Sequence, residues 1–254
     1  MTVPSRGPAH ASRRRGSSVL SAILGVVGEL LITAALVLAG FAFWQLYWTS
    51  YEVEGPRQQA IESYEEAHAP ATKAAGERRT DEPPALAGTP EANEIYGLLH
   101  VPGWDWMRIP LAESTSHAVL DKGYAGHYTE TAQPGAIGNF SVAGHRRTYG
   151  NNFRWIDRLK DGDPVVVEVD DHYLVYTVAS REIVDADDPA NSRVIAPVID
   201  DLSWTQTPTE RWMTMTTCHP EYGNSQRYIV HLKFDSWTPK SSGVPAELVD
   251  EPAA

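Results

Sequence analysis

An internal disulfide is impossible in this chain, because Cys218 is the one cysteine in 254 residues. A membrane-length apolar segment precedes it. In an oxidising compartment cysteines normally pair, so a lone one implies an intermolecular bridge or a thiol kept for reactivity. Basic clusters are equally scarce beyond the first 18 positions. The net charge is −12, and Arg6, Arg13, Arg14 and Arg15 are the charged residues of that opening stretch, which leaves −16 for the rest. Phosphate backbones are bound by Lys/Arg patches, so nucleic acid is excluded as a partner. Cys-x-x-Cys, His-Glu-x-x-His and EF-hand spacings are absent too, which argues against a bound metal. The carboxylates Glu168, Asp170, Asp171, Asp185, Asp187 and Asp188 read instead as solvated turns. There is no internal repeat.

What is present begins with an apolar run over 19–44, broken only by Glu29, Thr33 and a few small residues. A hydrocarbon core of about 30 Å needs roughly 20 helical residues, whereas a cleavable signal has an apolar region of about 7–15, so the run predicts an uncleaved anchor. Four arginines precede it, and Glu52 and Glu54 follow it. The positive-inside bias therefore puts residues 1–18 in the cytoplasm, a transmembrane anchor at 19–48 and everything later outside the cell membrane. Phe41, Phe43, Trp44, Tyr47, Trp48 and Tyr51 fit the outer interfacial belt. Glu29, inside the span, suits a helical partner or a proton path; the plainer reading is a protonated or snorkelling carboxylate.

Residues 49–93 are rich in Glu, Ala, Pro and Gly and poor in bulky apolar side chains, which predicts a flexible or semi-extended stalk, with 57–68 extending the membrane helix. The tail 238–254 reads the same way. Between them, residues 94–237 are a common size for one domain. Strand-like runs occur at 95–101, 107–111, 140–143, 164–169, 173–183, 212–218 and 227–234, and only 152–159 reads as a short helix. Asp161-Gly162-Asp163-Pro164 signals a turn. The fold class is all-β, most simply a closed or nearly closed barrel.

A thiolate nucleophile needs a proton partner, and His145, at the end of the apolar run Phe140-Ser141-Val142-Ala143, is the best placed at a strand end. His219 is a poor one, since strand neighbours point to opposite faces. His172 and His231 lie in or beside strands. His127, in Gly126-His127-Tyr128, suits either a substrate loop or a place behind the residues that touch substrate. Arg227 opens the strand after Cys218, so an antiparallel pair would set the two side by side and offer a permanent cation to a developing oxyanion. The plainer alternative is a structural core cysteine.

The motifs make the pattern specific. Thr214-Met215-Thr216-Thr217-Cys218 resembles the Thr-Leu-x-Thr-Cys signature of sortases, membrane-anchored cysteine transpeptidases of Gram-positive bacteria, with a volume-conserving Met for Leu. Gly138-Asn139-Phe140-Ser141-Val142-Ala143-Gly144-His145-Arg146 resembles the family's histidine motif, and Arg227-Tyr228-Ile229-Val230 its arginine motif. The likeness spans nearly all of 94–236. Thr217-Cys218-His219-Pro220 with the Tyr-Gly-Asn loop is most similar to class E, and the anchor with Gly28-Glu29-Leu30-Leu31-Ile32-Thr33 looks actinobacterial. Lys122 to Tyr128 departs from the usual Gly-Pro-Gly-His-Tyr, which bears on the groove entrance.

The resemblance implies an eight-stranded β-barrel with the site at strand ends. It implies Cys218, His145 and Arg227 as catalytic residues, and Thr217, Thr216, His127 and Tyr128 as substrate-binding ones. The substrates would be surface proteins or pilins bearing a Leu-Pro-x-Thr-Gly signal, or Leu-Ala-x-Thr-Gly for class E. The acceptor would be an amine of lipid II or a pilin lysine. No cofactor is expected; some sortases bind calcium, and the carboxylates named above are where a weak surface site would lie. Two other readings remain open at this point: a catalytically idle, membrane-tethered β-domain that binds a peptide or wall partner, and a secreted cysteine peptidase that hydrolyses its substrate.

Overall fold

The computed structural model describes residues 16–252. The four arginines expected in the cytoplasm lie outside the described residues. The chain divides into two units, 1–45 and 46–254. In the first, helix α1 (Gly16–Phe43) contains a span, Val19–Phe43, long and apolar enough to cross a membrane, with none of it buried. Such an uncovered apolar surface is what a lipid environment accepts and water does not.

The second unit opens with α2 (Thr49–Ala67), a helix of polar composition. Its buried residues, Thr49, Arg57, Ile61 and Tyr64, recur at helical spacing and form one face. Ile61 and Tyr64 pack on Leu98, the Tyr64 hydroxyl donates to Tyr96 O at 3.1 Å, and Arg57 Nη1 donates to Arg108 O at 3.0 Å. The expected flexible stalk is therefore corrected: a few well-spaced buried side chains, with Glu65 paired to Arg108 at 2.7 Å, dock the helix although its mean composition is hydrophilic. The stretch after it is also held, by main-chain pairing that composition cannot reveal. Ala75 pairs with Val244 and Arg79 with Trp237, and Arg79 and Trp237 exchange N–H···O bonds of 2.9 and 2.8 Å. The tail differs from expectation for the same reason. Val244 and Leu248 are buried against Val166, Tyr173 and Val175.

Eight strands close into a barrel in the order β1-β2-β3-β4-β7-β8-β6-β5. They are β1 (Ile95–Val101), β2 (Met107–Glu113), β3 (Ala125–His127), β4 (Gly138–Ala143), β5 (Pro164–Val169), β6 (His172–Asp185), β7 (Arg211–His219) and β8 (Gln226–Pro239). The barrel leaves no open edge. Inward side chains such as Leu99, Ile109, Phe140, Val167, Tyr176, Met213, Met215 and Leu232 fill it completely. Strand β3, at three residues and without a β-branched side chain, carries no periodic signal, which is why it escapes a reading of the sequence. Strand β8 runs past its expected end because the register against β6 slips between Phe234 and Ser236. The bulge at Asp235 breaks the alternation that would have announced the rest. Of the expected helix at 152–159 only a 3₁₀ turn, Ile156–Arg158, forms.

Two pairings position the site. β4 and β7 run parallel, with Ala143 beside Thr216, while β7 and β8 are antiparallel, with Cys218 opposite Arg227.

Candidate active site

On β7 the alternation sends Met213 and Met215 into the core and turns Thr214, Thr216 and Cys218 to the other face. Cys218 is the penultimate residue of the strand, half-buried, with a free thiol. Directly opposite, Arg227 shares that face, and such cross-strand pairs hold their Cβ atoms about 4.5–5.5 Å apart. Among the described residues its guanidinium donates to two main-chain oxygens, Asn224 O at 2.8 Å and Gln226 O at 3.0 Å. No carboxylate among the described residues neutralises it.

His145 reaches the site from the opposite flank. The parallel register, carried two residues beyond Ala143 and Thr216, brings it level with Cys218. Two bonds secure that approach: Gly144 N donates to Thr216 O at 3.1 Å, and Thr217 Oγ1 donates to Gly144 O at 2.6 Å. The His145 ring, half-buried, lies 5.3 Å from the Tyr149 ring, and its Nε2 meets Asp121 Oδ1 at 2.8 Å. His219 turns the other way, as expected, with its Nδ1 accepting from Arg146 Nη1 at 2.8 Å.

A groove of about 260 Å³ runs along the outer face of β7 and β8 and includes Arg227 in its wall, with Tyr128, Thr216, Ile229, Val194 and Asp188 among its other lining residues. The Tyr128 hydroxyl bonds Thr216 Oγ1 at 3.0 Å. Burial raises the Tyr128 pKa, and the Thr216 hydroxyl and the Arg227 charge act against it. A 3₁₀ segment, Pro189–Ile195, walls the groove and is itself pinned. Asn139 Nδ2 donates to Val194 O and Ala196 O, both at 3.1 Å, and Arg193 is clasped by Glu182 and Asp200.

Thr216 and Tyr128 thus line the groove. Two expectations are corrected. His127 is fully buried, with Nδ1 on Glu113 at 2.8 Å and Nε2 near Ala132 O and Thr131 Oγ1 at 3.1 Å, so neither ring nitrogen can reach a substrate. Thr217 is 3% exposed and its hydroxyl is committed to Gly144, so it ties the histidine strand to the cysteine strand instead of facing the groove. Glu168 is likewise no solvated turn residue: it is buried on β5, bonded to His100 at 2.8 Å and paired with Lys240 at 2.7 Å. Asp121 gave no sign in the sequence, being 24 positions from His145 in an unremarked turn. Among the described residues, no group of three or more His, Cys, Asp or Glu side chains is arranged to hold a metal ion.

A thiol between an imidazole and an unneutralised guanidinium, at one rim of a closed barrel, is suited to acyl transfer through a thioester. The Sortase domain family matches residues 99–235. Sortase SrtE1 of Streptomyces coelicolor is 38% identical over 253 residues, covering 97% of this chain and 66% of the relative, so the match spans slightly less than two thirds of that protein. Among solved structures, the SrtA sortase from Actinomyces oris is similar with a TM-score of 0.64 and 42% identity, covering 70% of this chain and 99% of that one. Sortase E1 from Streptomyces coelicolor, solved with a tripeptide in the active site, gives 0.55 and 41%, covering 63% and 99%. The chain belongs to the sortase family, whose members are cysteine transpeptidases, and within it is similar to class E.

Proposed function

We propose that this chain is a class E-like sortase that cleaves a Leu-Ala-x-Thr-Gly or related Leu-Pro-x-Thr-Gly signal after threonine and joins the carrier protein to an amine. The observation that carries the proposal is the flanking of Cys218 by Arg227 across β7–β8 and by His145 across β4–β7. The Cys218 thiol passes its proton to His145, the thiolate attacks the threonine carbonyl, and the oxyanion that forms lies on the side of the Arg227 charge. The carbon–nitrogen bond to glycine breaks as His145 gives its proton to the departing amine, which leaves a thioester. An incoming amine, from lipid II or a pilin lysine, attacks the thioester and gives a proton to His145; the carbon–sulfur bond breaks to release the thiolate, which regains its proton from His145. The steps need neither metal nor cofactor.

The groove favours a substrate in extended form, with Thr216 and Tyr128 at its floor. Residues 1–18 are assigned to the cytoplasm, 19–48 to the anchor, 49–93 to the connection and 94–237 to an extracellular catalytic domain, followed by the tail 238–254. The test is mass spectrometry of the full chain in detergent, incubated with a Leu-Ala-x-Thr-Gly peptide and an oligoglycine amine beside Cys218→Ala. An adduct on Cys218 that converts to amine-ligated peptide supports the proposal. A folded protein that forms neither, with Ala or Pro in the signal, refutes it, and hydrolysis without ligation would make it a peptidase.

A further inference from the structure

The carboxylate on His145 is held by a built arrangement. Helix α3 (His117–Leu120) is a single turn, and the Asp121 main-chain N–H closes it by donating to His117 O at 3.1 Å. Gly123 then bends the chain toward β3 with φ of +74°, a conformation that favours glycine. A Cβ added there would meet Tyr149 O at 2.9 Å, so the turn carrying Asp121 and the loop following His145 are in direct backbone contact. The two loops also meet in the Asp121 to His145 bond at 2.8 Å, and Asp121 Oδ2 takes a second histidine, the exposed His117, at 3.1 Å.

An ionised carboxylate only accepts, so the His145 Nε2 facing it must carry the hydrogen. The remaining ring nitrogen, Nδ1, has no hydrogen-bond partner among the described residues. We propose that Asp121 is a positioning residue that fixes the Nε2–H tautomer of His145, so that Nδ1 is the atom exchanging protons with the departing and incoming amines. The inference rests on the transpeptidase reading above. It assigns a task to a residue that touches neither thiol nor substrate, and residues of this kind typically alter activity about 10- to 100-fold.

The test has two arms on the full chain in detergent. With ¹⁵N-labelled histidine, imidazole spectra at a pH where His145 is neutral should show its proton on Nε2 in the wild type, and a mixture of tautomers in Asp121→Ala. In steady-state transpeptidation, Asp121→Ala should lower kcat about 10- to 100-fold with KM within about twofold. Asp121→Asn, whose amide oxygen still accepts, should recover most of that loss. A wild-type proton on Nδ1, or an Asp121→Ala kcat within about threefold of wild type, overturns the inference. A wild type that forms no thioester counts against the proposed function instead, and the spectra still decide the tautomer.

Discussion

Two clusters in this barrel contain the same three kinds of group, a histidine, a carboxylate and a cation, and they behave as opposites. Around His100, both ring nitrogens are bonded to acids, Glu168 at 2.8 Å and Glu251 at 2.9 Å, and Lys240 completes the set on Glu168 at 2.7 Å. His100, Glu168 and Lys240 are almost wholly out of water, with Lys240 also 5.5 Å from the rings of Tyr64 and Tyr173. Around His145, among the described residues, one ring nitrogen is bonded and one is not, the side chain is 23% exposed, and the nearby Arg227 has no carboxylate partner. Saturated charges in a low-dielectric interior hold segments together, because removing any member strands the others. Charges left with unfilled valences at a rim are available to a substrate. The first cluster joins β1, β5 and the C-terminal segment; the second lies at the rim, where the Asp121 to His145 bond links two loops.

The sharpest way to separate the two is to remove the thiol. Cys218→Ala should abolish transpeptidation by on the order of 10,000-fold or more while leaving the unfolding midpoint within about 1 °C, and substantial residual ligation would remove the nucleophile from the scheme. Arg227→Ala and His145→Ala should each cost about 100- to 1,000-fold in kcat, again without unfolding the protein. A large fall in their stability would mean that the rim cluster is structural after all. In the buried cluster the pattern should invert. Glu168→Gln leaves Lys240 and His100 facing a neutral amide, and urea unfolding should show a loss of about 3–5 kcal/mol with kcat of the folded enzyme within about twofold. Unchanged stability would break the comparison.

The fourth expectation concerns pH. Burial works against charge on His100, but its hydrogen bonds to Glu168 and Glu251 outweigh this and push its pKa up to about 9. A raised folded-state value means stabilisation that is complete below the unfolded value near 6.5, declines between 6.5 and 9, and is absent above. The span corresponds to roughly 3 kcal/mol. Glu168 works in the opposite direction. Burial opposes its ionisation, yet the bond to His100 and the Lys240 charge hold its pKa below the usual glutamate range, so its stabilisation is lost as acid is added. Urea midpoints measured from pH 5 to 10 should form a plateau near pH 5–6.5 and fall toward pH 9. A flat profile across that alkaline range would contradict the bonding around His100.

The contrast also explains what could be read from the sequence. Alternating runs announce themselves, so most strands and the barrel were legible, as was the placing of Cys218, His145 and Arg227 near neighbouring strand ends. Residues whose roles depend on burial were not. His127 and Thr217 lie beside a groove in sequence but under it in space, and Glu168 resembles the surface acids around it until β1 and the tail close over it. Asp121 belongs to a turn with no periodicity. Helix α2 and residues 71–79 are held by a few side chains and a few main-chain bonds, and neither registers in average composition.

The parallel pairing of β4 with β7 has a consequence for the life of the chain before it is folded. β4 and β7 are separated by β5 and β6 in sequence, and β8, the last strand to be made, supplies Arg227. Contacts between such distant segments form late. Until the barrel closes, the thiol of Cys218 stands without its histidine and its arginine. A half-made chain therefore carries Cys218 apart from the two side chains that flank it in the barrel, and the site proposed above exists only in the finished fold.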